Sequence, residues 1–437
     1  MSRADTIFAL SSGRLPAGVA TVRVSGPGAG NAVEDLTGSD PMPRTAVLLD
    51  ITDRSGEKID TGIVLFFRGP NSFTGEDVAE FQVHGGRAVV TKLLETLSEF
   101  EGLRHAEAGE FTQRAFLNGR LDLVEAEALA DLIEAETESQ RRLALAAASG
   151  SASRTYENWR ERILHARAMM EAELDFSDEG DVPGSVSNAV WMDVRSLLSD
   201  IERHLASYHR AEIIRDGFRV AIVGAPNAGK SSLLNALAAR DAAIVTDEPG
   251  TTRDVVEVPL ILRGTKVIVS DTAGLRAPAG AIEAIGINRS RGAAKSADMV
   301  VLLEARDAPF DEDLEVRGEI LRVENKSDLG GHEAASGTGL RVSALTGEGI
   351  GALLDLIGDA ARARAGSASD PLPFKLRHIE LLRSCGRALS RALQADLALE
   401  LRAEELRIAG DDIGRITGKI GPEQVLGEIF SRFCIGK

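Results

Sequence analysis

Cysteine is almost absent from this 437-residue chain: Cys385 and Cys434 are the only two, too few for a disulfide framework and in keeping with a reducing compartment. Long apolar runs are missing too. No stretch reaches the roughly 18 residues that a membrane-spanning helix needs, although 43% of positions are hydrophobic. The opening MSRADTIFALSS carries Arg3 and Asp5 and no sustained apolar segment, so it does not read as a signal peptide. Positive charge is in deficit, with 50 Lys and Arg against 67 Asp and Glu and a formal charge of −17. Such a chain has no global field to attract nucleic acid, so an RNA contact needs a local basic patch or a partner that supplies one. Internal repeats and low-complexity tracts are also lacking. What remains is a globular, cytoplasmic chain with no membrane association, long enough to bury a sizeable core in two to four domains.

The text itself changes period along the chain. Residues 1–117 mix β-like runs (GVATVRVSG, TAVLLDI, TGIVLFFRG) with Gly, Pro and Ser punctuation and a helix-like stretch from Ala88 to Phe100, which predicts an α+β domain. From Leu121 the apolar residues Leu121, Val124, Ala128 and Leu132 recur at helical spacing, and helical text continues to Phe176. A polar link from Ser177 to Asn188 precedes more helix, ending near Arg215. Residues 216–364 then alternate strand-like and helical runs, the pattern of a mostly parallel sheet with helices on both faces. After a Ser/Gly/Pro-rich link from Ala365 to Pro373 the chain is helical again. The expected division is 1–117, 118–215, 216–364 and 365–437, with the third segment inserted between two halves of one helical domain.

Chemistry concentrates in the inserted segment. Gly224-Ala-Pro-Asn-Ala-Gly229-Lys230-Ser231 fits the phosphate-cradling G-x-x-x-x-G-K-[ST] loop and lies after a strand and before a helix, where backbone amides and a helix N-terminus can hold phosphate oxygens. In that arrangement Lys230 reaches the terminal phosphates and Ser231 ligates Mg²⁺. Asp271-Thr272-Ala273-Gly274 follows another strand, offering a carboxylate to the Mg²⁺ shell and an amide to the γ-phosphate. Between them, Gly250-Thr251-Thr252-Arg253-Asp254 supplies a switch-loop threonine for Mg²⁺. Asn325-Lys326-Ser327-Asp328 places a carboxylate that accepts from N1 and the 2-amino group of guanine, a donor pair that adenine lacks, and Ser343-Ala344-Leu345 resembles the last base-contacting loop. Their shared order, each at a strand's C-terminal edge, points to GTP. The position after Asp-Thr-Ala-Gly, where signalling GTPases carry a water-orienting glutamine, is Leu275, so Glu283 becomes a candidate for that task.

Beyond these motifs, Pro70-Asn-Ser-Phe-Thr-Gly-Glu-Asp77, Glu80-Phe-Gln-Val-His-Gly-Gly86, Gly109-Glu-Phe-Thr-Gln-Arg-Ala-Phe-Leu-Asn-Gly-Arg-Leu-Asp122 and the terminal Phe433-Cys-Ile-Gly-Lys437 resemble the tRNA modification GTPases called MnmE or TrmE, of the TrmE-Era-EngA-YihA-Septin-like superfamily, over essentially the whole chain. The resemblance implies an N-terminal α+β domain (1–117) that binds tetrahydrofolate and dimerises, a helical domain in two parts (118–215 and 365–437) and an inserted Ras-like P-loop GTPase domain (216–364). It further implies a homodimer that joins an FAD-containing MnmG or GidA-type partner as a heterotetramer. With a 5-formyl- or methylene-tetrahydrofolate donor, such a complex adds an aminomethyl or carboxymethylaminomethyl group to C5 of the wobble uridine, position 34, of certain tRNAs.

Carried over residue by residue, the resemblance puts folate contacts on Arg23, Glu80, Arg120 and Lys437. It puts K⁺ ligands on Asn227, Thr246, Glu248 and Thr251, Mg²⁺ ligands on Ser231 and Thr252, and the water-orienting carboxylate on Glu283, with Lys230 as the second catalytic group. The GTP-binding set becomes Asn227, Ala228, Gly229, Lys230, Ser231, Ser232, Thr246, Thr251, Thr252, Asp271, Thr272, Ala273, Gly274, Asn325, Lys326, Asp328, Ser343 and Ala344. Cys434 is expected to be a small packed side chain, Cys385 a structural one, and His84 either a ligand contact or a turn histidine bonded to backbone. Two other functions fit a GTPase of this make-up: a ribosome-assembly or regulatory GTPase, and a folate-binding scaffold with incidental turnover.

Overall fold

The structure is a computed structural model describing residues 5–40, 42–175, 185–239, 256–271, 292, 294–305, 316–329, 339–366, 372–373, 375–421, 423–431 and 433–436. In chain order it begins with β1 (Thr6–Leu10), β2 (Ala17–Ser25), α1 (Ala29–Thr37), β3 (Val47–Thr52), β4 (Lys58–Phe67), β5 (Val78–Gly85), α2 (Arg87–Ser98), β6 (Leu103–His105) and α3 (Glu110–Leu117). Five helices follow: α4 (Leu123–Glu134), α5 (Glu138–Ala148), α6 (Ser151–Asp175), α7 (Ser185–Ala206) and α8 (Tyr208–Asp216). Then come β7 (Phe218–Gly224), α9 (Lys230–Ala238), β8 (Val256–Leu262), β9 (Thr265–Asp271), β10 (Met299–Glu304), β11 (Glu319–Glu324), β12 (Leu340–Arg341) and α10 (Ile350–Ala365). The described chain closes with α11 (Leu376–Ala392), α12 (Leu399–Thr417) and α13 (Glu423–Ser431). Two compact units emerge: residues 1–130 with 153–187 and 394–437, and residues 131–152 with 188–393.

In the first unit six strands form a sheet in the order β3-β4-β5-β2-β1-β6, antiparallel except for the β1–β6 pair. Period-two alternation sorts its side chains. Val22, Val24, Val64, Phe66, Ala79 and Phe81 face α1 and α2 and are buried with Val33, Leu36, Leu93 and Leu97. The opposite face carries Ile7 and Ala9 under Phe111 of α3, and beside them the polar positions Arg23, Ser25 and Glu80. Helix α3 continues into a second apolar cluster in which Phe116, Leu123 and Ala126 meet Leu426, Phe430 and Phe433. Through it the C-terminal helix reaches the N-terminal sheet: Ile435 forms an isolated bridge with Ala108.

The helical text read as one run from Leu121 to Phe176 is three helices. Thr137 caps α5, its hydroxyl accepting from the Gln140 amide while the Gln140 side chain accepts from the Thr137 amide. Gly150, in the left-handed region at φ 72°, separates α5 from α6. The expected link from Ser177 to Asn188 is shorter than its polar composition suggests, because α7 starts at Ser185.

In the second unit the strand order is β12-β11-β10-β7-β9-β8, parallel except for the β8–β9 hairpin, whose turn residues Arg263 and Gly264 both have positive φ. Helices α9 and α10 pack on β8 and β9, and alternate residues of β7, Ala221 and Val223, bury against Ala294, Ala297, Val300 and Leu302. Helix α7 runs antiparallel to α11, with Leu198 against Gly386 and His204 near His378. Among the described residues no helix is long and apolar enough to cross a membrane.

Candidate active site

Strand β7 ends at Gly224 and hands the chain to a loop that turns through two left-handed residues, Asn227 (φ 68°) and Gly229 (φ 95°), into the first turn of α9. Glycine is required at 229 for two reasons. A side chain there is strained by the φ, and its Cβ would collide with the Asn325 amide nitrogen. Asn325 is the crosspiece of the site. It is 4% exposed, its Nδ2 donates to the Ala228 carbonyl at 2.8 Å and its Oδ1 accepts from the Ala344 amide at 3.1 Å. One side chain thereby locks together the phosphate loop, the segment after β11 and the segment after β12.

The neighbouring contacts extend this lock. Ser343, fully buried, donates to Asp328 Oδ1 at 2.6 Å and accepts from the Thr346 amide at 3.1 Å. The Ser327 amide donates to the Val342 carbonyl at 3.1 Å, and Lys326 sits between them in the left-handed region at φ 64°. Asp328 is held at one oxygen, and its other oxygen can accept from a base.

At the phosphate end, Lys230 Nζ donates to the carbonyls of Gly224 and Ala225 at 2.7 and 2.9 Å. Burial pushes its pKa below the usual lysine range, partly opposed by the nearby Asp271 carboxylate. Ser231 Oγ donates to Asp271 Oδ2 at 2.7 Å, and Asp271 is 3% exposed at the end of β9. A hydroxyl backed by a buried carboxylate offers a hard, oxygen-seeking ion such as Mg²⁺ one direct oxygen ligand and an acceptor for a metal-bound water.

A second polar cluster lies on the N-terminal sheet. Arg23 and Glu80 are cross-strand partners on β2 and β5, joined by Arg23 Nε and Nη2 donating to Glu80 Oε1 at 3.0 and 2.8 Å. The guanidinium lies 5.5 Å from the Phe73 ring centre and 5.7 Å from that of Phe111. Ala9 pairs with Arg23 on the other side, and two residues on, Ser11 Oγ donates to the Gly436 carbonyl at 2.8 Å. The C-terminal tail thus ends its described course beside the strand that flanks Arg23.

Two family models match the chain: "GTP-binding protein TrmE N-terminus" over residues 6–120, and "MnmE helical domain" over residues 123–434, a span that brackets the P-loop sheet. A protein of Mesorhizobium japonicum described as tRNA modification GTPase MnmE is 57% identical over 443 residues, covering 100% of both chains. Proteins of the same description from Brucella anthropi and Brucella ovis are 54% and 52% identical, each covering 99% of this chain and 98% of its relative. The chain belongs to the MnmE family of tRNA modification GTPases.

As a member of the MnmE family the chain is a GTPase, a multidomain α/β and α+β protein with a helical part and a P-loop sheet. The structure brings together Ala228, Gly229, Lys230, Ser231, Asp271, Asn325, Asp328, Ser343 and Ala344, with Asn227, Ser232 and Lys326 at the same strand ends. Thr246, Glu248, Thr251, Thr252, Thr272, Ala273, Gly274, Glu283 and Lys437 lie outside the described residues. Arg120 is exposed, with its stem against Gly75. Cys385 is buried, whereas Cys434 is exposed rather than packed: the tail is held by backbone contacts of its neighbours, the Cys434 carbonyl accepting from the Gly109 amide, and the side chain points outward. His84 is an exposed histidine whose Nδ1 and backbone amide both bond the Asp60 carboxylate.

Motif reading missed the ionic support under Arg23 and Glu80. Arg114 of α3, 8% exposed, meets Glu110 at 2.9 Å, Glu76 at 3.1 Å and Asp5 at 3.0 Å, and Glu76 accepts from Ser25 Oγ at 2.8 Å. Ser25 also bonds Thr74 at 2.7 Å, and Asn118 donates to the Thr74 carbonyl. The loop 70–77 is thereby tied to β2 and α3. Burial pushes the Glu110 carboxyl up, but Arg104, the Glu107 amide and Arg114 outweigh it and hold it below the usual range. The signal available in the sequence was the i, i+4 spacing of Glu110 and Arg114 on a short helix.

Proposed function

We propose that this GTPase drives the installation of an aminomethyl or carboxymethylaminomethyl group at C5 of the wobble uridine (position 34) of certain tRNAs, acting as a homodimer with an FAD-dependent MnmG-type partner in a heterotetramer. The single observation that supports the nucleotide part most directly is the Asn325 crosspiece, because it unites the phosphate loop with the two base-recognition segments in one cleft. The loop amides and Lys230 bind the β- and γ-phosphates. Lys230 exchanges its two carbonyl partners for phosphate oxygens, and its desolvated charge then stabilises the transferring group. Ser231 and Thr252 ligate Mg²⁺, with Asp271 behind them accepting from the hydroxyl or a metal-bound water. Lys326 and Asp328 read guanine, Asp328 oriented by Ser343. Leu275 cannot orient water, so Glu283 takes that role, and Asn227, exposed at the loop's left-handed turn, joins Thr246, Glu248 and Thr251 as K⁺ ligands.

The N-terminal cluster is read as the tetrahydrofolate site, formed by Arg23, Glu80, Arg120 and Lys437. A pterin edge offers paired N–H donors to a carboxylate, and the glutamyl tail offers carboxylates to cations; Glu80, Arg23 and Arg120 match both, and Phe73 and Phe111 give an aromatic border. The folate supplies the one-carbon unit and the partner's FAD the redox step. The division into residues 1–117, 118–215, 216–364 and 365–437 belongs to this reading.

GTP hydrolysis by the purified chain in KCl and in NaCl, with Glu283→Ala in parallel, tests it. Strong K⁺ stimulation abolished in the variant is the expected result. Turnover indifferent to the cation and to the substitution would overturn the mechanism and favour a ribosome-assembly or regulatory GTPase.

A further inference from the structure

On several helices of this acidic chain, arginines are given a carboxylate one turn away. Arg141 and Arg142 share Glu138, Arg167 meets Glu171, and Arg407 meets Glu404 and Asp411. Helix α11 departs from that pattern at Arg383 and Arg387. Arg383, Arg387 and Arg391 follow one another at i, i+4 and i+8, all exposed, so they form a single line along the helix. Neither Arg383 nor Arg387 meets a carboxylate or other acceptor among the described residues, and Glu380, within reach of Arg383 at i, i+3, forms no ion pair with it. The opposite side of α11 is fully committed to the core, with Ile379, Leu382, Cys385, Ala388, Leu389 and Ala392 buried.

Like charges at i, i+4 repel, so each step of this line works against the helix instead of supporting it. Helix α7 adds to the same end. It packs antiparallel to α11 with Leu198 against Gly386, which puts Arg195, also exposed and without a partner among the described residues, level with the C-terminal part of the line. Arginine presents a planar fork suited to phosphate, and it stays charged at any physiological pH. With 17 more acidic than basic groups overall, the chain needs a local basic surface to hold a polyanion.

We infer that the arginine ridge of α11, Arg383, Arg387 and Arg391, is a contact surface for the phosphate backbone of RNA. This rests on the tRNA reading above and gives that substrate a place on the helical part of the second unit. The contacts are to backbone, so they position the RNA and carry no sequence preference.

The test is binding of an unmodified tRNA transcript to the full chain across a KCl series, for wild type, for Arg383→Gln/Arg387→Gln/Arg391→Gln and for single Arg387→Gln, with polyglutamate as a second probe. Each lost phosphate contact lowers the slope of log affinity on log salt by about 0.9, so the triple variant should lose about 2 to 3 units of slope and tenfold or more in affinity at about 0.1 M salt. The single variant should lose about one unit of slope, and GTP hydrolysis should be unchanged in both. Wild-type binding with identical affinity and slope in the variants overturns the ridge and leaves the tRNA reading standing. No salt-dependent RNA binding by wild type defeats the tRNA reading and the ridge with it. Loss of polyglutamate binding with RNA binding intact reassigns the ridge to an acidic protein surface and likewise overturns the proposal.

Discussion

At the scale of single residues, one side chain holds the candidate nucleotide cleft together. Asn325 reads as the first letter of a base-recognition string, yet its contacts are with protein: Ala228 on one side and Ala344 on the other. Truncating it leaves a carbonyl and an amide in the interior without partners, at about 1–3 kcal/mol for each buried group left unsatisfied. Asn325→Ala should therefore weaken GTP binding by at least tenfold, measured by titration with a fluorescent GTP analogue. An affinity within experimental error of wild type would mean the three loops hold their places without it. Cys434 shows the opposite case, in which composition misleads. A small apolar-leaning side chain invites a packed role, but the tail is anchored through backbone groups and the thiol is left at the surface.

At the scale of elements, the inserted α/β segment was the easiest to read, since its strands are largely apolar runs buried on both faces, such as Phe218–Gly224 and Met299–Glu304. The N-terminal sheet was harder. Strand Thr6–Leu10 is short, and Val78–Gly85 contains Glu80 and His84 because its outer face serves a polar cluster, so an apolar run is broken there. The helical text from Leu121 to Phe176 is divided by a local signal. Residues 136–142 carry no apolar side chain, and within that polar stretch the capping signal Thr137-Glu-Ser-Gln140 marks the new start. That cap also positions the first turn of α5, whose Ser139 amide donates to Gly264 in the β8–β9 turn and whose Gln140 side chain donates to the Arg215 carbonyl. Thr137→Ala should cost about 0.5–2 kcal/mol, seen as a lower urea midpoint with an unchanged slope. A midpoint equal to wild type would show that the contacts of Ser139 and Gln140 suffice to start the helix.

For the whole molecule, the two compact units give separate handles on acid stability, because each holds one of the two tryptophans: Trp159 in the first and Trp191 in the second. The titrating groups are likewise divided. In the first unit the Glu110 carboxyl is held below its usual range by Arg104, the Glu107 amide and Arg114, in opposition to burial. A depressed carboxyl stabilises the fold above its unfolded pKa of 4.5 and loses that contribution as the pH falls below it. In the second unit His204 is lowered from 6.5 to about 4 by burial first and by the neighbouring His378 second. The folded form there binds its proton less readily than the unfolded chain, so stability is complete above 6.5, declines as the pH falls, and is fully lost below about 4. The linkage bounds that loss at about 3 kcal/mol, less to the extent that water reaches the half-buried ring. Between pH 6.5 and 4.5, therefore, the second unit should weaken while the first holds. Urea unfolding followed by the single tryptophan of Trp159→Phe should show its midpoint falling across that window, and that of Trp191→Phe should stay level until the carboxylates begin to protonate. Adding His204→Gln to the Trp159→Phe background should flatten the first curve. Parallel curves for the two tryptophans, or a slope that survives the loss of His204, would remove the histidine as the cause and point to the carboxylates shared by both units.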